Sequence, residues 1–208
     1  MQSKIENIIV GYGGHSLSVI DSLIKSGGEI SYYSDKKQIE YNPYGLKYLG
    51  YEGDIEFSGW NLELNFILGI GNNKLRESIG QKIISHSKKL INVIDPNSSI
   101  SVLSDFGQGV FVSSGVCVSA FSKIGDFVIL NTGSIIEHNS ILGSGTSVSP
   151  GAVICGNVEI GERVLIGANS VIKEGIKIGH DSIIGAGSVI IRDVEPKSTV
   201  VGNPGKKI

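Results

Sequence analysis

Three observations predict a two-part chain, a small α/β domain followed by a parallel β-helix. A strict period of six runs over ninety residues, the first ninety residues follow a different pattern, and Asp95-Pro96 lies between the two. From Ile100 to Ile190 every sixth residue is Ile, Val or Leu, with Phe106 the only exception. Two residues before each of these sits Ser, Thr, Ala or Val, Ile176 excepted, and a glycine often follows, as at Gly125, Gly143, Gly161, Gly167, Gly179 and Gly185. Neither a helix of period 3.6 nor a hairpin array of period 2 sustains this phase. A short strand plus a tight corner does, and six-residue repeats mark a parallel β-helix. The aliphatic residue is expected to point inward, the small residue to fit the corner and the glycine to permit the turn. Three repeats make a coil, so residues 18 apart stack at one strand spacing, roughly 4.8 Å. The run amounts to about five coils on that spacing.

The first ninety residues alternate strand and helix. KIENIIV reads as a strand, GYGGH as a turn, SLSVIDSLIKSGG as an amphipathic helix ending in glycine, and EISYYSD as a second strand. LNFILGIG, NNKLRESIGQKIISH and KLINVID read as strand, helix and a last strand before Pro96. Strands alternating with helices imply a small parallel sheet covered by helices. The boundary is placed at Asp95-Pro96, giving domains over 1–95 and 96–208.

The chain of 208 residues carries a net charge of −2 without a basic run, so no electrostatic footprint for nucleic acid or an anionic membrane is present. No stretch approaches the ~18 apolar residues of a membrane span, and the N-terminal apolar run is too short for a secretory core. Cys117 and Cys155 stand in no metal or redox spacing, which suits a reducing cytosol. A cytoplasmic protein without a metal is therefore expected.

Gly11, Gly13 and Gly14 lie between a strand and a helix, where glycines let backbone N–H groups approach a phosphate. The third glycine of a dinucleotide fingerprint is missing, and about 95 residues cannot hold the two-halved fold that such cofactors bridge. Asp35 ends the second strand, about where an acidic residue would meet a ribose or base. Gly69, Gly71 and Asn72 form a second strand-to-helix loop on the same edge.

Taken together, GYGGH at 11–15, Asp35, GIGNN at 69–73, ILNTGSIIEH at 129–138 and VVGNPGKK at 200–207 resemble the hexapeptide-repeat sugar O-/N-acyltransferases. That family includes sialic acid O-acetyltransferases and acetyltransferases acting on nucleotide-linked 4-amino-6-deoxysugars. The resemblance covers essentially the whole chain and implies a left-handed β-helix, a Rossmann-like nucleotide-sugar domain, a homotrimer, and acetyl-CoA as co-substrate. It implies that His138 is the general base, that Asn131 and His15 meet the acceptor, and that Gly156 contacts the acetyl carbonyl. It also implies a CoA path along Gly167, Ala168, Gly185 and Ala186, with Asn203, Pro204 and Lys206 in the closing loop, whose basic residues meet the CoA phosphates.

Two of these assignments have independent physical support. A sugar ammonium must lose a proton to become a nucleophile, and an imidazole with an ordinary pKa near ~6.5 suits that task. Gly156 stands one coil after His138, leaving room for an acyl group and an N–H to hold an oxyanion. Many relatives carry an acid directly after the histidine and a second histidine nine residues beyond it. Asn139 and Ser147 occupy those positions here, so no carboxylate is available to stabilise the imidazolium. Glu137 is adjacent, but neighbouring strand residues point to opposite faces. Of the other histidines, His86 is expected to be structural at a helix C-terminus, and His180 falls on a different edge from His138. Cys155 has nothing near it to lower its pKa, and direct transfer needs no acyl-cysteine. The alternatives to an amino-sugar N-acetyltransferase are a sialic acid O-acetyltransferase and a non-catalytic nucleotide-sugar-binding or scaffold subunit.

Overall fold

The computed structural model describes residues 5–208; Met1–Lys4, including the first residue of the expected opening strand, lie outside the described residues. β1 (Glu6–Val10) occupies the centre of a five-stranded parallel sheet in the order β3-β2-β1-β4-β5, with β2 (Tyr32–Ser34), β3 (Lys47–Tyr48), β4 (Leu64–Leu68) and β5 (Lys89–Leu90). Alternation along β1 and β4 divides their apolar residues between two cores. Ile8, Val10, Phe66 and Leu68 pack with Ile79 and Ile83 of α2 (Asn73–Ser85). Ile9 and Ile67 pack with Val19, Ile20 and Leu23 of α1 (Gly14–Lys25). Both faces are thus covered, which is why β1 and β4 read as nearly continuous apolar runs.

The stretch expected to form one last strand, KLINVID, is two. β5 closes the small sheet, whereas Val93–Ile94 pairs in parallel with Phe111–Val112 and begins the β-helix. Beyond it, short parallel strands wind through three sheets, Thr199–Val201 carries the winding past Ile190, and Lys206–Lys207 adds to it antiparallel. Stacked partners stand 18 apart, as in Cys117↔Ile135↔Val153, and the sixfold aliphatic positions form one continuous core. The small corner residues are buried, and their hydroxyls tie coils together. Ser140 Oγ donates to the Cys155 carbonyl (2.9 Å) and accepts from Val158 N–H (3.2 Å). Thr146 repeats the arrangement with Gly161 and Val164.

The glycine that follows the aliphatic residue has a different purpose from the one expected. Left-handed backbone falls three residues after the aliphatic position, at Phe127, Gly133, Asn139, Gly145, Gly151 and Asn157. Gly143, Gly161 and Gly167 do not adopt it. A Cβ on Gly143 would meet Glu162 N at 2.6 Å, and one on Gly161 would meet His180 N at 2.6 Å. Close stacking of successive corners, rather than turn conformation, demands these glycines.

The two parts share a core. Phe127 leaves its corner to sit fully buried against α2, where a Cβ added to Gly80 would lie 2.5 Å from its ring. Phe111, Ile129 and Val93 pack on the α1 side of the sheet. Burying a side chain the size of Phe127 stabilises by roughly 1.5–3 kcal/mol. Among the described residues, no helix is long and apolar enough to cross a membrane.

Candidate active site

The corner at His138 is built by its neighbour. Asn139 takes the left-handed conformation (φ 60°), a conformation that Asn tolerates better than most residues. Its side chain then turns back, with Oδ1 3.0 Å from His138 Nδ1. An amide oxygen only accepts, so the neutral ring carries its proton on Nδ1 and leaves the Nε2 lone pair free. Asn139 therefore fixes the tautomer without supplying charge. Glu137 does not compensate, because its Oε2 accepts from Ser119 Oγ (3.1 Å) and it bonds away from the imidazole.

The ring lies directly over Gly156. A Cβ there would stand 2.7 Å from His138 Cε1 and 2.8 Å from Nε2. Successive coils are joined at this corner by Asn157 N–H donating to the His138 carbonyl at 3.0 Å. Gly156 is buried, and its N–H donates to no group among the described residues. His138 itself is exposed, open to an incoming acceptor. Cys155, beside Gly156, has its thiol pKa raised by burial and then by Glu174 and Glu137, the opposite of what a nucleophilic cysteine needs.

Ser147 has a task of its own. It is buried at the seam with α2, where its Oγ donates to Asn73 Oδ1 (2.6 Å) and accepts from Arg76 (3.0 Å). Arg76 is the residue that the sequence reading missed. It is 1% exposed and donates to the carbonyls of Phe127 (2.7 Å), Gly71 (2.8 Å) and Gly145 (2.7 Å). Burial pushes its pKa down to about 10, so it remains a cation at neutral pH. A lone arginine on a polar helix face gave no signal, because its acceptors are carbonyls 51 and 69 residues away.

The two glycine loops meet at one end of the small sheet. A Cβ on Gly11, whose φ is +83°, would meet Ile70 at 2.6 Å, and one on Gly69 would overlap the Gly11 carbonyl. These two glycines are required by mutual packing. Gly13 and Gly14 have nothing within 4 Å of such a Cβ, which leaves open space over the start of α1. Gly71 also faces open space, His15 Cβ being 3.9 Å away. His15 is half-buried with its Nε2 enclosed and without a partner, and burial followed by Arg76 pushes its pKa down to about 4. Asn72 caps α2, its Oδ1 accepting from Leu75 N–H at 3.0 Å. Both oxygens of Asp35 accept backbone N–H groups, from Tyr12 (2.9 Å) and Lys36 (2.7 Å), so it braces the loop. Asn131 Oδ1 accepts from Thr132 N–H. Glu52, also unforeseen, is 4% exposed in the same cavity as Gly11, Asp35 and Gly69.

The small residues expected to line a CoA path comprise packed glycines and more open alanines. Gly167 and Gly185 are packing positions, with a Cβ meeting Ala186 N at 2.5 Å and Val201 at 2.7 Å. Ala168 is half-buried and Ala186 exposed. They stand 12 residues out of phase with Gly156, on another edge of the prism. The closing loop of Asn203, Pro204 and Lys206 is exposed and held by Gly205 N–H donating to the Val189 carbonyl. His86 stacks on Trp60 at 4.1 Å and bonds the Lys82 carbonyl, a structural position as expected.

Comparison with known proteins gives this geometry its class. The PglD N-terminal domain family matches residues 7–83, and the bacterial transferase hexapeptide (six repeats) family matches residues 157–192. No curated protein matches the sequence. A histidine-to-alanine variant of the GDP-perosamine N-acetyltransferase of Caulobacter crescentus, solved with CoA and GDP-perosamine, is 31% identical with a TM-score of 0.92. The match covers 98% of this chain and 96% of that one. The acetyltransferase domain of PglB from Neisseria gonorrhoeae, solved with acetyl coenzyme A, is 29% identical over 99% of this chain and 100% of its own, with a TM-score of 0.91. WeeI from Acinetobacter baumannii, at 23% identity over 99% and 100% of the chains, shares the fold with a TM-score of 0.87. The chain belongs to the hexapeptide-repeat sugar acyltransferases, with a PglD-type α/β domain ahead of a left-handed parallel β-helix.

Proposed function

We propose that this protein is an acetyl-CoA-dependent N-acetyltransferase acting on the amino group of a nucleotide-linked 4-amino-6-deoxysugar. The observation that carries this reading is the exposed His138 imidazole, seated over Gly156 with Nδ1 engaged by Asn139 and Nε2 free. The α/β domain would hold the nucleotide sugar, and the β-helix, which begins at Val93–Ile94, would carry the transfer. Similarity to enzymes solved with CoA and GDP-perosamine, or with acetyl coenzyme A, supports both substrates.

In the reaction, Nε2 of His138 takes a proton from the sugar amine as its nitrogen attacks the thioester carbonyl. The carbonyl electrons move to oxygen, and the Gly156 N–H holds that oxyanion. Collapse restores the carbonyl, expels the CoA thiolate and leaves the N-acetyl sugar; the imidazolium then returns its proton to the thiolate. No acyl-enzyme forms and no metal participates. His138–Gly156 and Ala168–Ala186 stand on different edges of one prism. A CoA touching both sets is best accommodated in a groove between subunits, which supports a homotrimer. The pathway served would be surface-polysaccharide or glycan synthesis in the cytoplasm.

Thiol release from acetyl-CoA, measured with UDP-, dTDP- and GDP-linked 4-amino sugars and with sialic acids, tests the reading. Turnover on one amino sugar should fall by roughly 10²–10⁴ in His138→Ala. Gly156→Ala should fold, since its backbone is not left-handed, yet displace the ring and lose comparable activity. Turnover on sialic acid alone would select O-acetylation, and nucleotide-sugar binding without thiol release would select the scaffold alternative.

A further inference from the structure

Glu52 is a buried carboxylate that the transfer chemistry does not use. It lies 4% exposed in a loop after β3 and lines a cavity with Lys36, Gly69, Ile70, Leu75 and Ile79. Ser34 Oγ donates to its Oε2 at 2.6 Å and accepts from the Glu52 backbone N–H at 3.0 Å, so both chain and side chain are fixed from β2. Among the described residues Oε1 accepts from nothing, and no cation pairs with the group. Asp35, in the same lining, already has a backbone N–H on each oxygen. Glu52 therefore presents the cavity's uncommitted anionic acceptor. Ile70, Leu75 and Ile79 add apolar side chains to the same lining, the kind of surface that receives the face of an aromatic ring.

We infer that this cavity is the nucleobase subsite and that Glu52 selects guanine. The inference rests on the nucleotide-sugar reading above and names its base. A carboxylate is an acceptor only. Guanine is the base whose Watson–Crick edge carries two adjacent donors, N1–H and the N2 amino group, which a carboxylate can engage together. Uracil and thymine offer one N–H between two carbonyl oxygens, which face the anion unfavourably. Cytosine and adenine each offer an amino group next to an acceptor nitrogen. Lys36, at the rim, has a donor of the right sense for guanine O6.

Calorimetric titration of the full chain with GDP, inosine diphosphate, UDP, dTDP and CDP tests this. Inosine diphosphate keeps N1–H and lacks the N2 amino group, so it removes one donor without altering the protein. GDP should bind at least about tenfold more tightly than inosine diphosphate or any pyrimidine diphosphate, the loss expected for one hydrogen bond to a charged acceptor. Glu52→Gln should bring GDP and inosine diphosphate to within about threefold of each other, since the amide presents at most one acceptor to that edge. Equal binding of GDP and inosine diphosphate by the unaltered protein, or an unchanged GDP preference in Glu52→Gln, overturns the role of Glu52. A preference for UDP, dTDP or CDP overturns the guanine assignment while leaving the nucleotide-sugar reading intact. Absence of binding by every diphosphate overturns both.

Discussion

His15 meets Phe111 edge-on, with ring centroids 5.4 Å apart, and encloses its Nε2 where no partner reaches it. Burial first, and the nearby Arg76 cation second, hold its pKa at about 4. In the unfolded chain the same imidazole protonates near ~6.5. Between those values the unfolded state binds more protons, so stability rises with pH there, is complete above about 6.5, and falls as pH drops toward 4. The contribution is on the order of 2–3 kcal/mol at the acid end. Urea denaturation of wild type and His15→Asn from pH 8 to 4.5 should show the variant gaining on wild type as pH falls. A pH-independent difference between them would mean that folded His15 protonates freely. The sequence placed His15 beside the glycine loop, but its neutrality was hidden because Arg76 and Phe111 arrive from 61 and 96 residues away in the chain.

At the scale of elements, α2 is fastened to the β-helix through Arg76, whose guanidinium satisfies carbonyls from its own N-terminal loop and from two corners of the helix. Only arginine's planar fork reaches acceptors in several directions at once. Arg76→Leu should cost about 3–5 kcal/mol, because it strands buried carbonyls along with the lost cation. Arg76→Lys should recover only part of this. Thermal and urea unfolding measure the loss, and a change under 1 kcal/mol would show that Phe127 packing alone secures the seam. Ser147 belongs to the same seam, which explains a serine nine residues beyond His138: its hydroxyl bonds Asn73 and Arg76 across the domain junction. Arg163 reinforces the junction, with Glu77 of α2 at 2.9 Å and Asp181 at 3.0 Å.

For the whole molecule, the proposed CoA path needs edges from different chains, and Ile141, Leu165 and Ile183 are left exposed on the prism. Sedimentation equilibrium should therefore return three times the 22.0 kDa chain mass. A monomer with full activity would remove the intersubunit groove from the mechanism. The period of six, read without any coordinates, determined the coil length, the inward residues and the stacking of Gly156 on His138, because a solenoid's contacts repeat at a fixed sequence separation. The alternation before it determined the parallel sheet for the same local reason, that each strand and helix declares its own apolar face. Tertiary structure alone decided what crosses between these two regular parts. It decided the purpose of the corner glycines, the turning back of Asn139 onto His138, the seam of Arg76, Ser147 and Phe127, and the enclosure of Glu52 beside the glycine loops. The groups of the seam meet across sequence separations that follow no period, so nothing in the order of residues marks them in advance.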